Sequence, residues 1–205
     1  MKQLLIATHN PAKKQELGRG FGSLISRQLK LLFLDDLHIS SDMEETGKTF
    51  EENARLKARY FAHLSRLATV ADDGGIEIDV LQGEPGIHSK RWLGREAADT
   101  ELIAHTLKKL NNVPPVMRTA QFTVCLAYYN PATGFQMVKT ESVRGRIALS
   151  PSKHACKGFP YRALFIVDTY NKYYDELTEQ EHNFVNHRLK AVHKLIPFIK
   201  GDLLQ

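Results

Sequence analysis

Cysteine is scarce in this chain, and several kinds of segment are missing from it. The 205 residues include two cysteines and one tryptophan. Cys125 and Cys156 are too few for a disulfide-stabilised scaffold, and their spacing fits no zinc motif. There is no apolar run long enough to span a bilayer, no charged and apolar leader, and no low-complexity tract. We therefore expect a soluble cytoplasmic protein that does not associate with membranes.

The remaining composition is typical of a globular domain. Hydrophobic residues make up 42% of the chain and charged residues 25%, and a chain of this length can bury a sizeable core. The sequence therefore predicts one domain over residues 1–205. The formal net charge of +5 favours anionic partners. The basic residues are scattered, so we expect no nucleic-acid partner and keep nucleic-acid binding, suggested by Lys90, Arg91 and Trp92, as a minor alternative.

Two adjacent acids follow a predicted buried strand near the middle of the chain. The apolar run Leu67–Ala71 predicts the strand, and Asp72 and Asp73 come directly after it, followed by Gly74. Carboxylates at the end of a buried strand are costly unless a cation meets them, so a divalent metal is a natural partner. The alternative is that Asp73 and Gly74 form the tight turn of a β-hairpin. A turn and a metal site can coexist.

A second candidate site lies near the start of the chain. The apolar run Gln3–Ala7 predicts a strand, and Asn10 and Pro11 are typical of the N-cap and first position of a helix that ends near Arg19. The free backbone N–H groups and the dipole at such a helix start attract anions. Lys13, in the first turn, fits a bound phosphate. A plain capped helix with solvated lysines is the alternative.

A third segment combines acids with a capped helix. Thr49 and Glu52 form a capping box at the start of a helix predicted from Phe50 to Leu67. Glu44 and Glu45 precede this cap. They are either a solvated acidic loop or metal ligands brought beside the acids after the buried strand.

The second half of the chain predicts a helix, a hairpin and a final helix. Residues 97–111 carry a helical apolar pattern, and residues 120–128 and 135–143 alternate as the two strands of a hairpin. Thr178 and Glu181 form another capping box.

The final helix is predicted to continue from this cap as one element. Phe184 is expected on its apolar face. His187 and Arg188 are interpreted as a solvated or salt-bridged surface pair.

Four motifs, in the same order along the chain, resemble the inosine triphosphate pyrophosphatase family. Residues 8–13 (THNPAK) resemble its T-x-N-x-x-K phosphate loop, and residues 44–54 (EETGKTFEENA) resemble EETG-x-TF-x-ENA. Residues 71–75 (ADDGG) stand where the family has ADDSG, and residues 83–91 (GEPGIHSKR) resemble G-x-PG-x-x-S-x-R. Members of the family hydrolyse non-standard purine nucleoside triphosphates to the monophosphate and pyrophosphate.

The resemblance implies a fold and a reaction. The fold would be α/β, a two-lobed mixed sheet flanked by helices with a nucleotide cleft between the lobes, and the protein would be a homodimer. The cofactor would be Mg²⁺, and the substrates would be ITP, dITP and XTP. Hydrolysis of a phosphoanhydride needs charge neutralisation, a metal and an oriented water, and the acids and lysines of these motifs can supply the protein's part.

Residue roles follow from the motifs. Thr8, Asn10 and Lys13 would hold the triphosphate, and Lys57 and Arg91 would lie near it, with Gly74 in place of a serine. Glu45 and Asp73 would hold the metal, with Glu44 and Asp72 as alternative ligands. Asp73 would also accept the proton of the attacking water.

The departures from the family lie in the segments that read the purine base. The family has GFGYDP where residues 158–163 read GFPYRA, so Phe159 and Tyr161 are kept and Arg162 replaces an acid. Later in the chain His182 replaces a lysine and Asn186 replaces a serine, whereas His187 and Arg188 match. Such changes alter the donors and acceptors that select a base. A shifted base preference and a non-hydrolysing nucleotide sensor are therefore the alternatives to the family's activity.

Overall fold

Strands and helices alternate along the chain in the computed structural model, which describes residues 1–25, 28–154 and 156–204. The strands are β1 (Lys2–Ala7), β2 (Leu29–Phe33), β3 (Ala68–Ile78), β4 (Thr119–Tyr129), β5 (Gln136–Ile147), β6 (Phe165–Val167) and β7 (Lys172–Tyr173). The helices are α1 (Pro11–Gly20), α2 (Phe50–Ser65), α3 (Asp99–Lys109), α4 (Glu179–Val185) and α5 (His187–Leu203). Among the described residues, no helix is long and apolar enough to cross a membrane.

The strands form one mixed sheet in the order β2-β1-β3-β4-β5-β6-β7. β1 pairs in parallel with both β2 and β3, whereas β6 pairs antiparallel with both β5 and β7. Parallel neighbours need a crossover, and here α1 joins β1 to β2 and α2 precedes β3. The prediction of a mixed α/β sheet flanked by helices is confirmed.

The chain divides into two compact units. The first unit comprises residues 1–73, 124–141 and the chain from Arg188 onward. Its core packs apolar residues of β1, β3 and β4 against α1 and α5, including Leu4, Leu17 and Val192, all fully buried. The charged residues of β3 and α2 described below belong to this unit, and the rigid apolar layer fixes β3.

The second unit comprises residues 74–123 and 142–187. Its core joins the second half of β3 to α3, β6 and the short helical turn at Pro160–Leu164. Phe122, Phe165 and Tyr174 are the large rings of this core, and their centroids lie 4.5–6.4 Å apart. These distances are typical of packed aromatic pairs.

The helix starts predicted at Asn10 and Thr49 are confirmed, with one change in detail. The Asn10 side chain accepts from the N–H groups of Ala12 and Lys13, and Thr49 Oγ1 accepts from the Glu52 N–H at 3.1 Å. The Glu52 carboxylate accepts from the N–H of Lys48 at 2.6 Å. The second half of the predicted box therefore reaches one residue further back, which still satisfies a free donor before the helix.

The hairpin turn considered at Asp73 and Gly74 is wrong. β3 runs without a break from Ala68 to Ile78, because its first residues are held by pairing with β1 and it has β4 on its other side. Gly75 is needed for close approach, since a Cβ there would lie 2.2 Å from Ser89 Oγ. A sequence pattern that is typical of turns is overridden here by pairing with two neighbours.

The final helix is also different from its prediction. Asn186 has φ −60° and ψ 103°, which is extended backbone, and it separates α4 from α5. Phe184 is 64% exposed, so this residue is not on an apolar face. His187 and Arg188 are buried, at 3% and 4% exposure, and the interpretation as a surface pair is wrong.

Candidate functional site

Asp72 and Asp73 are both buried on β3 in the first unit, with exposures of 2% and 7%. Consecutive residues of a strand point to opposite faces of the sheet. The two carboxylates consequently have different partners, and each is described in turn.

Asp72 is surrounded by cations. Its Oδ2 lies 2.9 Å from Lys13 Nζ and accepts from Arg188 Nε at 3.3 Å. Burial by itself would raise the pKa of Asp72, but the charges of Lys13, Arg188 and Lys57 outweigh it and hold the pKa well below its usual range. Arg188 also donates from Nη1 to Glu16 at 2.5 Å. Asp72 therefore anchors two cations whose positions would otherwise be set by long, flexible side chains.

Asp73 shares a lysine with Glu45. Lys57 Nζ, on α2, lies 2.8 Å from Glu45 Oε1 and 3.5 Å from Asp73 Oδ1. Burial raises the pKa of Asp73 more than the charges of Lys57 and Lys13 lower it. Burial would lower the pKa of Lys57, but the charges of Asp73 and Glu45 outweigh it and raise that pKa. The ammonium thus holds two carboxylates from distant segments at one place.

One oxygen of this group has no protein partner. Within the described part of the chain, Asp73 Oδ2 is buried and accepts no hydrogen bond. A buried carboxylate oxygen in that condition is costly unless a ligand, water or ion meets it. It is therefore the atom of the first unit best suited to receive a proton or to contact a cation.

The donor set fits Mg²⁺ bound together with a phosphate-bearing ligand. Over residues 1–25, 28–154 and 156–204, no group of three or more His, Cys, Asp or Glu side chains is arranged to hold a metal by itself. Mg²⁺ commonly takes one or two carboxylates and completes its shell with water and substrate phosphates. Glu45 and Asp73 are two such carboxylates, whereas Glu44 is exposed and Asp72 is held by Lys13 and Arg188.

The start of α1 differs from the expected anion site. Asn10 Oδ1 accepts from the N–H groups of Ala12 and Lys13 at 2.9 and 3.2 Å, and Thr8 Oγ1 accepts from the Asn10 N–H at 3.2 Å. Lys14 forms an ion pair with Asp35. The positive charge at this helix start is therefore carried by the Lys13 ammonium and by the helix dipole rather than by unpaired N–H groups.

In the second unit, Arg162 lies between two aromatic rings. Its Cζ is 3.6 Å from the centroid of Phe159 and 4.7 Å from that of Tyr174, and Arg162 is 7% exposed. A guanidinium over an aromatic face is attracted by the ring quadrupole, and desolvation strengthens the attraction. The residue that replaces the family's acid is thus fixed by stacking.

Two histidines of the predicted base-reading set contact the same tyrosine. The ring of His182 lies edge-on to Tyr174 with centroids 5.2 Å apart, and that of His187 lies 6.5 Å away. His187 also stacks on Phe122 at 5.8 Å with the planes 8° apart. Phe159, Arg162, His182 and His187 are therefore gathered around Tyr174.

Three further predicted residues belong neither to the group around Asp72 and Asp73, nor to the start of α1, nor to the group around Tyr174. Tyr161 donates to the carbonyl of Ser89 at 2.6 Å, and burial raises its pKa. Arg91 is exposed, and Gly74 is half-buried within β3.

Sequence reasoning missed two residues at these groups, Glu16 and Tyr174. Glu16, which pairs with Arg188, lies three residues after Lys13 on α1, and that spacing is the signal that it shares a helix face with the lysine. Tyr174 carried no signal beyond being an aromatic residue in a loop.

Comparison with known proteins gives consistent matches over almost the whole chain. The model described as the Ham1 family matches residues 4–198. A relative from Exiguobacterium sp. named dITP/XTP pyrophosphatase is 40% identical over 207 residues, covering 97% of this chain and all of the relative. A Bacillus subtilis protein of the same name is 37% identical, covering 98% of each chain. The solved structure of a HAM1 protein from Coxiella burnetii superposes with a TM-score of 0.84 at 29% identity, covering 98% of this chain and all of that one.

Proposed function

The chain belongs to the Ham1 family, and we propose that it hydrolyses non-standard purine nucleoside triphosphates to the monophosphate and pyrophosphate. The substrate class comes from the relatives named dITP/XTP pyrophosphatase, and ITP, dITP and XTP are its members. The single observation that carries the proposal is the Glu45 and Asp73 pair on Lys57, in which the buried Oδ2 of Asp73 accepts no hydrogen bond from the described chain.

We assign the contacts to the triphosphate to Lys13, Thr8 and Asn10. The Lys13 ammonium is held at Asp72 and is 19% exposed at its side chain, so it is oriented and still accessible to an anionic ligand. A preoriented cation costs little reorganisation when charge develops on a leaving pyrophosphate. Lys57 and Arg91 are further candidates for phosphate contacts.

Asp73 is the proposed proton acceptor. Its partnerless Oδ2 can accept a hydrogen bond from the attacking water and take its proton as the bond between the α- and β-phosphates breaks. Mg²⁺, when bound by Glu45, Asp73 and the phosphates, would supply charge neutralisation to the leaving group. Lys57 stays beside both carboxylates, and its positive charge offsets their mutual repulsion.

The reaction type is tested by its products. The protein is incubated with dITP in Mg²⁺ or in EDTA, and pyrophosphate and orthophosphate are assayed separately. We expect pyrophosphate and dIMP in equal amounts with Mg²⁺, and neither in EDTA. Orthophosphate as the first product would contradict the proposal. Binding of dITP without turnover would favour the sensor alternative.

A shifted base preference is the second candidate, and Arg162 is the observation that favours it. A guanidinium offers donors only, and it stands where the family has an acid that only accepts when ionised. Substituting Arg162→Asp restores the family's residue. If Arg162 shifts the preference, this variant changes the ratio of kcat/KM for dITP and dATP. If the ratio is unchanged, the preference is set by other residues.

Two further expectations remain proposals. The homodimer is tested by light scattering on the purified protein, where a mass of one chain would contradict it. The cytoplasmic location stays a prediction.

A further inference from the structure

Asn53 links the loop that carries Glu45 to the helix that carries Lys57. Its side chain is 1% exposed, and its Oδ1 accepts from the backbone N–H of Gly47 at 2.8 Å. Glu45 lies two residues before Gly47. The amide therefore fixes the end of the acidic loop against the first turns of α2.

Gly47 allows the loop to lie this close to the helix. A Cβ on Gly47 would lie 2.6 Å from Asn53 Oδ1, 2.8 Å from Glu52 Cβ and 2.9 Å from the Asn53 backbone nitrogen. Two of these three atoms cannot move without displacing α2. The loop can reach this position only with glycine at residue 47.

The other end of the amide faces Asp73. A carboxamide has one accepting oxygen and one donating nitrogen, so the use of Oδ1 by Gly47 leaves Nδ2 as the donor. Asp73 accepts a side-chain hydrogen bond from Asn53. Hydrogen bonds of this kind are often long before a ligand binds and shorten in the complex.

We propose that Asn53 is a positioning residue that sets the spacing of Glu45 and Asp73 for a divalent cation. The inference rests on the proposed metal-dependent hydrolysis and adds a residue to it. Lys57, one helical turn later, contacts both acids through a charge without directional preference. A neutral amide supplies direction without adding a charge, and Mg²⁺ demands near-ideal geometry from its ligands.

The test measures how much a metal strengthens binding of a substrate analogue that is not hydrolysed. The affinity for α,β-methylene-dITP is determined by calorimetry with Mn²⁺ and with EDTA, for the wild type and for Asn53→Ala. We expect the gain in affinity on adding Mn²⁺ to fall by about tenfold or more in the variant, as for other residues that orient metal ligands. The affinity in EDTA should stay within about twofold, an effect below ~0.5 kcal/mol.

Several outcomes would overturn the inference. One is an unchanged gain in affinity for the analogue on adding Mn²⁺ to the variant. Another is an equal loss of affinity in EDTA, which indicates a merely structural role. A wild type whose affinity does not rise with Mn²⁺ would also overturn it. Asn183→Ala, an exposed asparagine on α4, is the matched control and should behave as the wild type.

A second variant and a turnover assay complete the experiment. If Asn53→Ala does not fold, Gly47→Ala displaces the same amide and should show the same loss, and an unchanged gain would overturn the inference. Turnover of dITP is measured on the same wild-type preparation. If the affinity for the analogue rises with Mn²⁺ but dITP is not turned over, the proposed function is contradicted and the positioning role of Asn53 still holds.

Discussion

At the scale of single residues, Asp72 and Asp73 are neighbours in sequence with different electrostatic surroundings. Asp72 is matched by two cations, and its pKa is lowered. Asp73 shares one lysine with Glu45, and burial raises its pKa. A carboxylate that is already neutralised by two cations contributes little to the binding of a further cation. Asp73 is therefore the acid of the pair that we assign to metal and water.

The first prediction concerns Asp73. Asp73→Asn removes the proposed proton acceptor and one proposed metal ligand but keeps the side-chain volume. We expect kcat for dITP to fall by at least about 10²-fold, the usual effect of losing a general base. The thermal midpoint should not fall, because a buried charge is removed. Asp42→Asn, at an exposed loop position, is the control, and wild-type rates in Asp73→Asn would refute the assignment.

The second prediction separates the two adjacent glutamates. Glu45→Gln removes the charge beside Lys57, so the Mg²⁺ concentration for half-maximal rate should rise by about tenfold, the equivalent of losing one contact to a charged group. Glu44→Gln changes an exposed acid next to it and should leave that concentration unchanged. The rate is measured against Mg²⁺ concentration for both variants. A larger effect in Glu44→Gln would reverse the assignment.

At the scale of elements, the end of α5 holds the hairpin between β4 and β5. Asp202 accepts from Tyr128 and Asn130 at 2.7 Å each and from Thr133 at 2.8 Å. Burial opposes the ionised form, but these three donors outweigh it and lower the pKa of Asp202. The network joins the last helix to the turn that follows β4.

The third prediction uses the pH dependence of this network. Because the folded pKa of Asp202 lies below the unfolded value of about 3.9, its contribution to the free energy of unfolding is present above that value. It is lost as the pH falls through the folded pKa. Asp202→Asn should cost about 1 kcal/mol at pH 7, and the difference should shrink near pH 3. Urea denaturation at both pH values measures it, and an equal difference at both would contradict the role of the charge.

Local signals predicted the elements that begin with a capped helix or alternate cleanly. The starts of α1 and α2 follow from Asn10 and Thr49, whose side chains bond the first turns, and the β4–β5 hairpin follows from its period of two. These features depend on residues a few positions apart, so the sequence contains them directly.

Features that depend on residues far apart in the sequence could not be predicted from local signals. The pattern around Asp73 and Gly74 is that of a turn, and only pairing with β1 and β4 makes it a strand. The break at Asn186 has no proline or glycine to mark it. The partners of Asp72 lie on α1 and α5, 59 and 116 positions away along the chain, so no spacing rule connects them.

At the scale of the whole molecule, the family prediction is confirmed, since the Ham1 model and the named relatives match nearly the full length. Three of the four motifs that agree with the family supply charged residues of the first unit, and the fourth, residues 83–91, belongs to the second. The departures, Arg162, His182 and Asn186, all belong to the second unit. The reaction and the choice of base are therefore assigned to different parts of the chain, and substitutions in the second unit should change the base preferred more than the bond broken.

The most direct measurement is kcat/KM for pyrophosphate release over a panel of triphosphates with Mg²⁺. The panel contains ITP, dITP, XTP, dUTP and the four common nucleotides. We predict that ITP, dITP and XTP exceed ATP and GTP by at least about tenfold, which corresponds to ~1.4 kcal/mol of discrimination. Equal rates for all purine nucleotides, or a preference for a common nucleotide, would contradict the account.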